Sequence, residues 1–179
     1  MANICRKAGR QLNALRRLSK VLNTKSKMCI FQSFIRSNFL YCPLVWHQCG
    51  KLNTQKLENL QERGLRIIFD DYVSTYSSLL NRADLPSLLH WRLQVLATET
   101  YKAVNGLSPQ YIQNLFVGKH TNYHLRDPHK LHLHLHNTVK YGINSISHEG
   151  AKLWNTLPVN IKECKSVAEF KTKIRKYQF

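Results

Sequence analysis

The first 57 residues carry eleven Lys and Arg and not one Asp or Glu. No fold of this segment can neutralise its own cations, so any helix it forms must hold its charge on a solvent-facing arc and bury the remainder. From Ile4 to Leu22 the residues Ile4, Ala8, Leu12, Leu15, Leu18 and Leu22 recur at steps of three and four. At about 100° per residue, Arg6, Arg10, Arg16, Arg17 and Lys20 project to the opposite arc. The spacing predicts an amphipathic helix with one apolar and one strongly basic face.

The charge of the remaining chain is uneven. Residues 58 to 118 hold five cations against six acids, and residues 119 to 179 hold eleven against four, so the three thirds read +11, −1 and +7 within a total of +17. A near-neutral middle between two basic ends predicts a packed centre and ends that face a polyanion. With 43% apolar and 10% aromatic residues the chain has material for a core, which argues against a disordered basic tail. The longest apolar run, Phe39 to Trp46, is eight residues and contains Pro43, too short for a membrane span. No leader sequence is read at the start, and five cysteines, an odd number, favour free thiols in a reducing compartment, nucleus or cytoplasm.

Beyond the first helix, Thr24 is a candidate N-cap for a second one with Met28, Phe31, Phe34, Ile35 and Phe39 on its apolar side. Lys25 and Lys27 on that helix extend the candidate phosphate-binding set of Arg6, Arg10, Arg16, Arg17 and Lys20. A third helix is expected from about Thr54 to Phe69, with Leu57, Leu60, Leu65 and Ile68 inward and Gly64 weakening its middle. A short helix at Tyr76, a long one from Ser87 to Asn105 and another short one after Pro109 follow. From His120 to Ser147 the helical period gives way to alternation, Leu131, Leu133 and Leu135 against His132, His134 and His136, then Tyr141, Ile143 and Ser145. That predicts two short strands, a hairpin. Helices return at Ser147 to Leu157 and after the capping box Ser166-Val167-Ala168-Glu169. The expected fold is mainly α with a small α+β segment, in regions 1–50, 51–118 and 119–179.

Little of this carries catalytic chemistry. A polymerase needs an acidic pair at a turn between strands to hold metal ions. The only adjacent pair, Asp70-Asp71, follows a helical stretch and reads as a solvated helix end. Cys42, His47 and Cys49 lack paired zinc-finger spacing and a fourth ligand, so Cys42 and Cys49 read as small buried residues beside Trp46. His132, His134 and His136 fall on one strand face about 7 Å apart, which reads as a solvated or nucleic-acid-facing surface, with a metal site as the rival. There is no nucleophile elbow and no phosphate loop, and no cofactor is called for.

Three stretches together resemble a known family. They are Leu15-Arg16-Arg17-Leu18 with Phe31-x-x-Phe34-Ile35-x-Ser37-x-Phe39-x-Tyr41-Cys42-Pro43-Leu44-Val45-Trp46; Leu60-Gln61-Glu62-Arg63-Gly64-Leu65-Arg66 with Asp84-Leu85-Pro86; and Gly150-Ala151-Lys152-Leu153-Trp154-Asn155-Thr156-Leu157-Pro158 with Ser166-x-x-x-Phe170-Lys171. In this order and spacing they resemble the region downstream of the polymerase core in jockey-like non-LTR retrotransposon reverse transcriptases. The resemblance implies that residues 1 to about 50 form thumb-like helices gripping template–primer nucleic acid. It further implies that the chain is the tail of a longer reading frame, with the catalytic aspartates and the endonuclease domain upstream. The expected function is therefore that of a non-catalytic fragment of an RNA-directed DNA polymerase that binds template–primer nucleic acid through the basic helix face, with the upstream polymerase core as a partner when both belong to one longer chain. One rival is a protein-interaction module in which the aromatic stripes Phe31/Phe34/Phe39 and Trp46/Trp91/Trp154 dock the missing polymerase core or another subunit; another is a metal-dependent hydrolase built on the histidines.

Overall fold

The opening amphipathic stripe becomes helix α1, Ala2–Leu18, in a computed structural model that describes residues 2–119, 129–134, 137–177 and 179. Ala8, Leu12 and Leu15 are buried, but Leu18 is 51% exposed. Each step of three falls about 60° short of a full turn, so Leu18 has walked off the seam that Leu12 and Leu15 occupy. The helix ends there, with the Ser19 hydroxyl donating to the Arg16 carbonyl at 2.7 Å.

The chain divides into two compact units, Met1–Trp91 and Arg92–Phe179. The boundary expected near residue 50 falls inside the first, because α1 packs on α4, Lys51–Phe69. Between them run α2, Thr24–Ile30, a π-helical turn, Phe31–Arg36, and α3, Ser37–Leu40. The N-cap is Asn23 rather than Thr24, its side chain accepting from the Ser26 N–H at 2.8 Å. Phe31, Ile35 and Phe39 are buried at steps of four. In an unbroken α-helix such steps drift about 40° each; the π turn, closed i→i+5, underwinds the chain and returns the three to one face. Phe34, expected among them, is 63% exposed.

Phe31 lies against Gly64 of α4. A Cβ at residue 64 would stand 2.8 Å from the ring's Cδ2 and nearer still to its Cε2. Gly64 is thus a contact surface for an aromatic ring, not a weak point. Asp70 ends α4 in the left-handed region at φ 52°. α5, Tyr76–Ala83, is capped by Thr75 and ends at Asp84, again left-handed. The Glu58 carboxylate then ties three elements together. It accepts from the Tyr76 hydroxyl at 2.6 Å and from the Leu88 and Leu89 N–H groups, at 3.2 and 2.7 Å, at the start of α6, Leu88–Val104. Burial, and then Glu58, hold the Tyr76 phenol well above its ordinary pKa.

In the second unit α7, Gln110–Gln113, is followed by α8, Ile146–Thr156, α9, Val159–Lys162, and α10, Val167–Lys176. Tyr101 stacks on Phe170 at 4.4 Å between ring centroids, and its hydroxyl donates to the Cys164 carbonyl at 2.6 Å. Trp154, Leu131, Ala151 and Ile174 complete the centre of this core.

The expected hairpin does not form among the described residues. A single antiparallel bridge joins Gly118 and Leu131, flanked by hydrogen bonds from Lys119 N to Lys130 O and from His132 N to Val117 O. Where a second strand would pair, the Asn155 side chain substitutes. Its Oδ1 accepts from the Leu131 N–H at 2.8 Å and its Nδ2 donates to the Leu131 carbonyl at 2.9 Å, while Trp154 Nε1 donates to the His129 carbonyl at 2.7 Å. The second alternating stretch, around Tyr141 and Ile143, is a π-helical turn, Val139–Ile143. Among the described residues no helix is long and apolar enough to cross a membrane.

Candidate nucleic-acid interface

On α1, Arg6, Arg10 and Arg17 project within about 30° of the direction opposite the buried seam, at 100° per residue. All three are exposed, as are Arg16 and Lys20 on the flank and beyond the helix end. Together with Asn13 they form one surface row, 6, 10, 13 and 17, at steps of four, three and four, extending about 16 Å along the axis. None of the five cations meets a carboxylate among the described residues.

Three of the first unit's five acids, Glu58, Glu62 and Asp71, are engaged elsewhere in the unit. Glu62 pairs with Arg66 at 2.7 Å, and Glu58 caps α6. Asp71 accepts from Ser74 N at 2.9 Å, Ser74 Oγ at 2.7 Å and Val73 N at 3.1 Å, with Arg82 at 3.9 Å. The Ser74 N–H and hydroxyl, ahead of the other partners, hold the Asp71 carboxyl below its ordinary value. Asp70 is the left-handed residue that ends α4. The adjacent acidic pair is thus a helix stop followed by a turn clamp.

Of the remaining candidates, Lys25 is exposed on α2, but Lys27 is a correction. Lys27 is buried, and its Nζ donates to the Ile67 carbonyl at 3.3 Å. It shares the inward face that continues through Phe31 and Ile35, so its ammonium meets α4 rather than solvent. Two cations missed by the site assignment join the surface. Lys7 is exposed on the α1 flank. Arg63 Nη2 donates to Asn13 Oδ1 at 2.5 Å, bringing a fourth guanidinium to the middle of the arginine row. The helical period alone could have found Lys7; nothing local in sequence relates residue 63 to residue 13.

The aromatic stripes are used largely in packing. Phe31, Phe39 and Trp46 are buried in the first unit and Trp154 in the second, which leaves Phe34 of the first stripe on the surface. Cys42 is exposed in a left-handed turn at φ 44°, and Cys49 is half-buried with Sγ 3.6 Å from Thr54 Oγ1, so neither is the buried residue expected. All five cysteines are free. His132 and His134 are exposed, with ring centroids 4.7 Å apart, and His136 lies outside the described residues. Among the described residues no three His, Cys, Asp or Glu side chains gather as a metal-binding group.

No family model, curated protein or solved structure matches this chain.

Proposed function

We propose that the chain binds the phosphate backbone of nucleic acid, with little regard to sequence, through the outer face of α1. The observation that carries this reading is the row Arg6, Arg10 and Arg17, joined at Asn13 by Arg63, exposed on one helix face and meeting no carboxylate among the described residues. Cations without internal partners repel one another, and a polyanion relieves that repulsion while releasing counterions. The helix dipole accounts for Arg16 and Arg17 in the last turn, but not for Arg6 in the second turn or Arg10 in the middle of α1, where it gives cations no advantage.

The motifs that resemble non-LTR retrotransposon reverse transcriptases supply the biological setting. In it, α1 to α3 act as thumb-like helices of an RNA-directed DNA polymerase, gripping template–primer duplex while an upstream core performs the synthesis, in nucleus or cytoplasm. The chain by itself catalyses nothing in this reading.

The test is fluorescence anisotropy of the full chain on duplex DNA, RNA–DNA hybrid and single-stranded RNA across a salt series. Substituting Arg6, Arg10 and Arg17 by Gln should weaken duplex binding similarly for every sequence. It should also reduce the slope of log affinity against log salt by about 2.7, at about 0.9 per phosphate contact, with circular dichroism unchanged. An unchanged slope in a folded variant refutes the assignment of α1.

A further inference from the structure

The second unit repeats, on an unrelated helix, the charge arrangement of the first. α10 buries Phe170 and Ile174 in its core and exposes Lys171, Arg175 and Lys176. Its one acid, Glu169, is engaged locally, with Lys173 Nζ at 2.9 Å and the Lys165 N–H donating to Oε2 at 3.1 Å. The Lys173 contact, then the Lys165 N–H, hold the Glu169 carboxyl below its ordinary value. Lys173 also donates to the Asn160 carbonyl at 3.0 Å. Lys171, Arg175 and Lys176 meet no carboxylate among the described residues.

Helix polarity explains only part of this. Cations in the last turn are favoured by the carbonyl end of α10, which covers Lys173, Arg175 and Lys176. Lys171 lies in the middle of the helix, and exposed Lys165 precedes its N-cap Ser166, where the same dipole disfavours positive charge. Lys171, Arg175 and Lys176, which meet no carboxylate among the described residues, are placed for a negative partner outside the chain. An anionic membrane surface is the poorer partner, because an interfacial helix inserts large apolar residues. Those of α10 are buried in the core, and its outer arc is Ala168, Lys171, Thr172, Arg175 and Lys176.

We infer that α10 is a second phosphate-backbone surface, so that the chain is bivalent for duplex nucleic acid, with one contact surface in each compact unit. The inference rests on the proposed function for its ligand class. Two surfaces that engage one long duplex together retain it more strongly than either does alone.

The experiment uses the full chain, the α1 triple Gln variant described above, and a second variant with Lys171→Gln, Arg175→Gln and Lys176→Gln. On a duplex of about 30 base pairs the α10 variant should lower the salt slope by about 2.7, and Lys171→Arg with Lys176→Arg should retain it. On duplexes of about 8 base pairs, sedimentation should find two bound per wild-type chain and one per chain in either triple variant. An unchanged slope in the α10 variant overturns the inference and leaves the α1 reading intact. One short duplex per wild-type chain overturns bivalence. A slope lost only in the α10 variant refutes the α1 assignment while this surface stands. Loss of binding to phosphatidylserine vesicles, with nucleic-acid binding unaltered, moves α10 to a membrane role and overturns the inference as well.

Discussion

Replacing Gly64 by Ala tests the packing of the first unit, because two effects of opposite sign meet at this residue. At an exposed mid-helix position the change stabilises by about 0.8–1.0 kcal/mol, since Ala loses less backbone freedom on folding. At Gly64 the new methyl group would approach Phe31 Cδ2 to 2.8 Å and Cζ to 3.1 Å, and Cε2 more closely. Ordinary carbon contacts lie at about 3.5–4.0 Å, so the ring must withdraw by roughly 1 Å. Phe31 is fully buried, and in a close-packed interior its ring can withdraw only by displacing its neighbours. Overpacking of this kind costs about 1–3 kcal/mol, which leaves a net destabilisation of about 0–2 kcal/mol once the propensity gain is deducted. Gly9 on α1 provides the internal control. Nothing lies within 4 Å of a Cβ there, and Gly9→Ala should stabilise by up to about 1 kcal/mol. Urea unfolding followed through the first unit's transition reads both. Adding Phe31→Leu to Gly64→Ala should cost less than Phe31→Leu alone, with a coupling of about 0.5–3 kcal/mol. Equal stabilisation by both alanines, or no coupling with Phe31, refutes the reasoning.

Three further outcomes follow from the same geometry. Leu15→Ala should destabilise by about 2–5 kcal/mol while Leu18→Ala, at a half-exposed side chain, should cost less than about 1, and equal costs in thermal unfolding would place α1 in a different register. Asn155→Ala strips both partners from the buried Leu131 peptide groups and should cost about 2–4 kcal/mol, with loss of hydrogen-exchange protection at the Leu131 amide; retained protection would mean that another group replaces the clamp. Because the folded Asp71 carboxyl titrates below its usual value near 3.8, the unfolded chain binds more protons there, so its contribution is full above about pH 4–5 and lost as pH falls through the folded value. The stability gap between wild type and Asp71→Asn should therefore close on acidification, and a pH-independent gap would remove the charge from the argument.

Much of the helical framework was legible from local pattern. The period of α1, the inward Leu57, Leu65 and Ile68 of α4, and the Ser166 cap, whose hydroxyl accepts from the Glu169 N–H at 3.2 Å, all follow from interactions within a few residues of chain. The basic row on α1 belongs to the same class, because cations spaced at helical period opposite an apolar seam face solvent once that seam is buried. Phe34 and Lys27 were misread for different reasons. The sequence pattern assumes regular 3.6-residue turns, and the π turn between residues 31 and 36 rotates Phe34 away from the buried face. Lys27 precedes that turn, and its burial depends on the Ile67 carbonyl of α4, forty residues along the chain, which receives its ammonium.

What the amino-acid order determined by itself, then, is where helices run, which arc of each is charged, and that the first 57 residues hold eleven cations and no acid. Tertiary structure alone decided the rest, and in each case through a partner distant along the chain. Gly64 matters because Phe31 comes to rest on it; Arg63 joins the arginine row because Asn13 receives it. The segment after Lys130 is not a hairpin because the Asn155 amide satisfies Leu131 before a strand can. A backbone N–H and carbonyl need partners without regard to their source, and a side-chain amide from a helix 24 residues away supplies them as well as a neighbouring strand would.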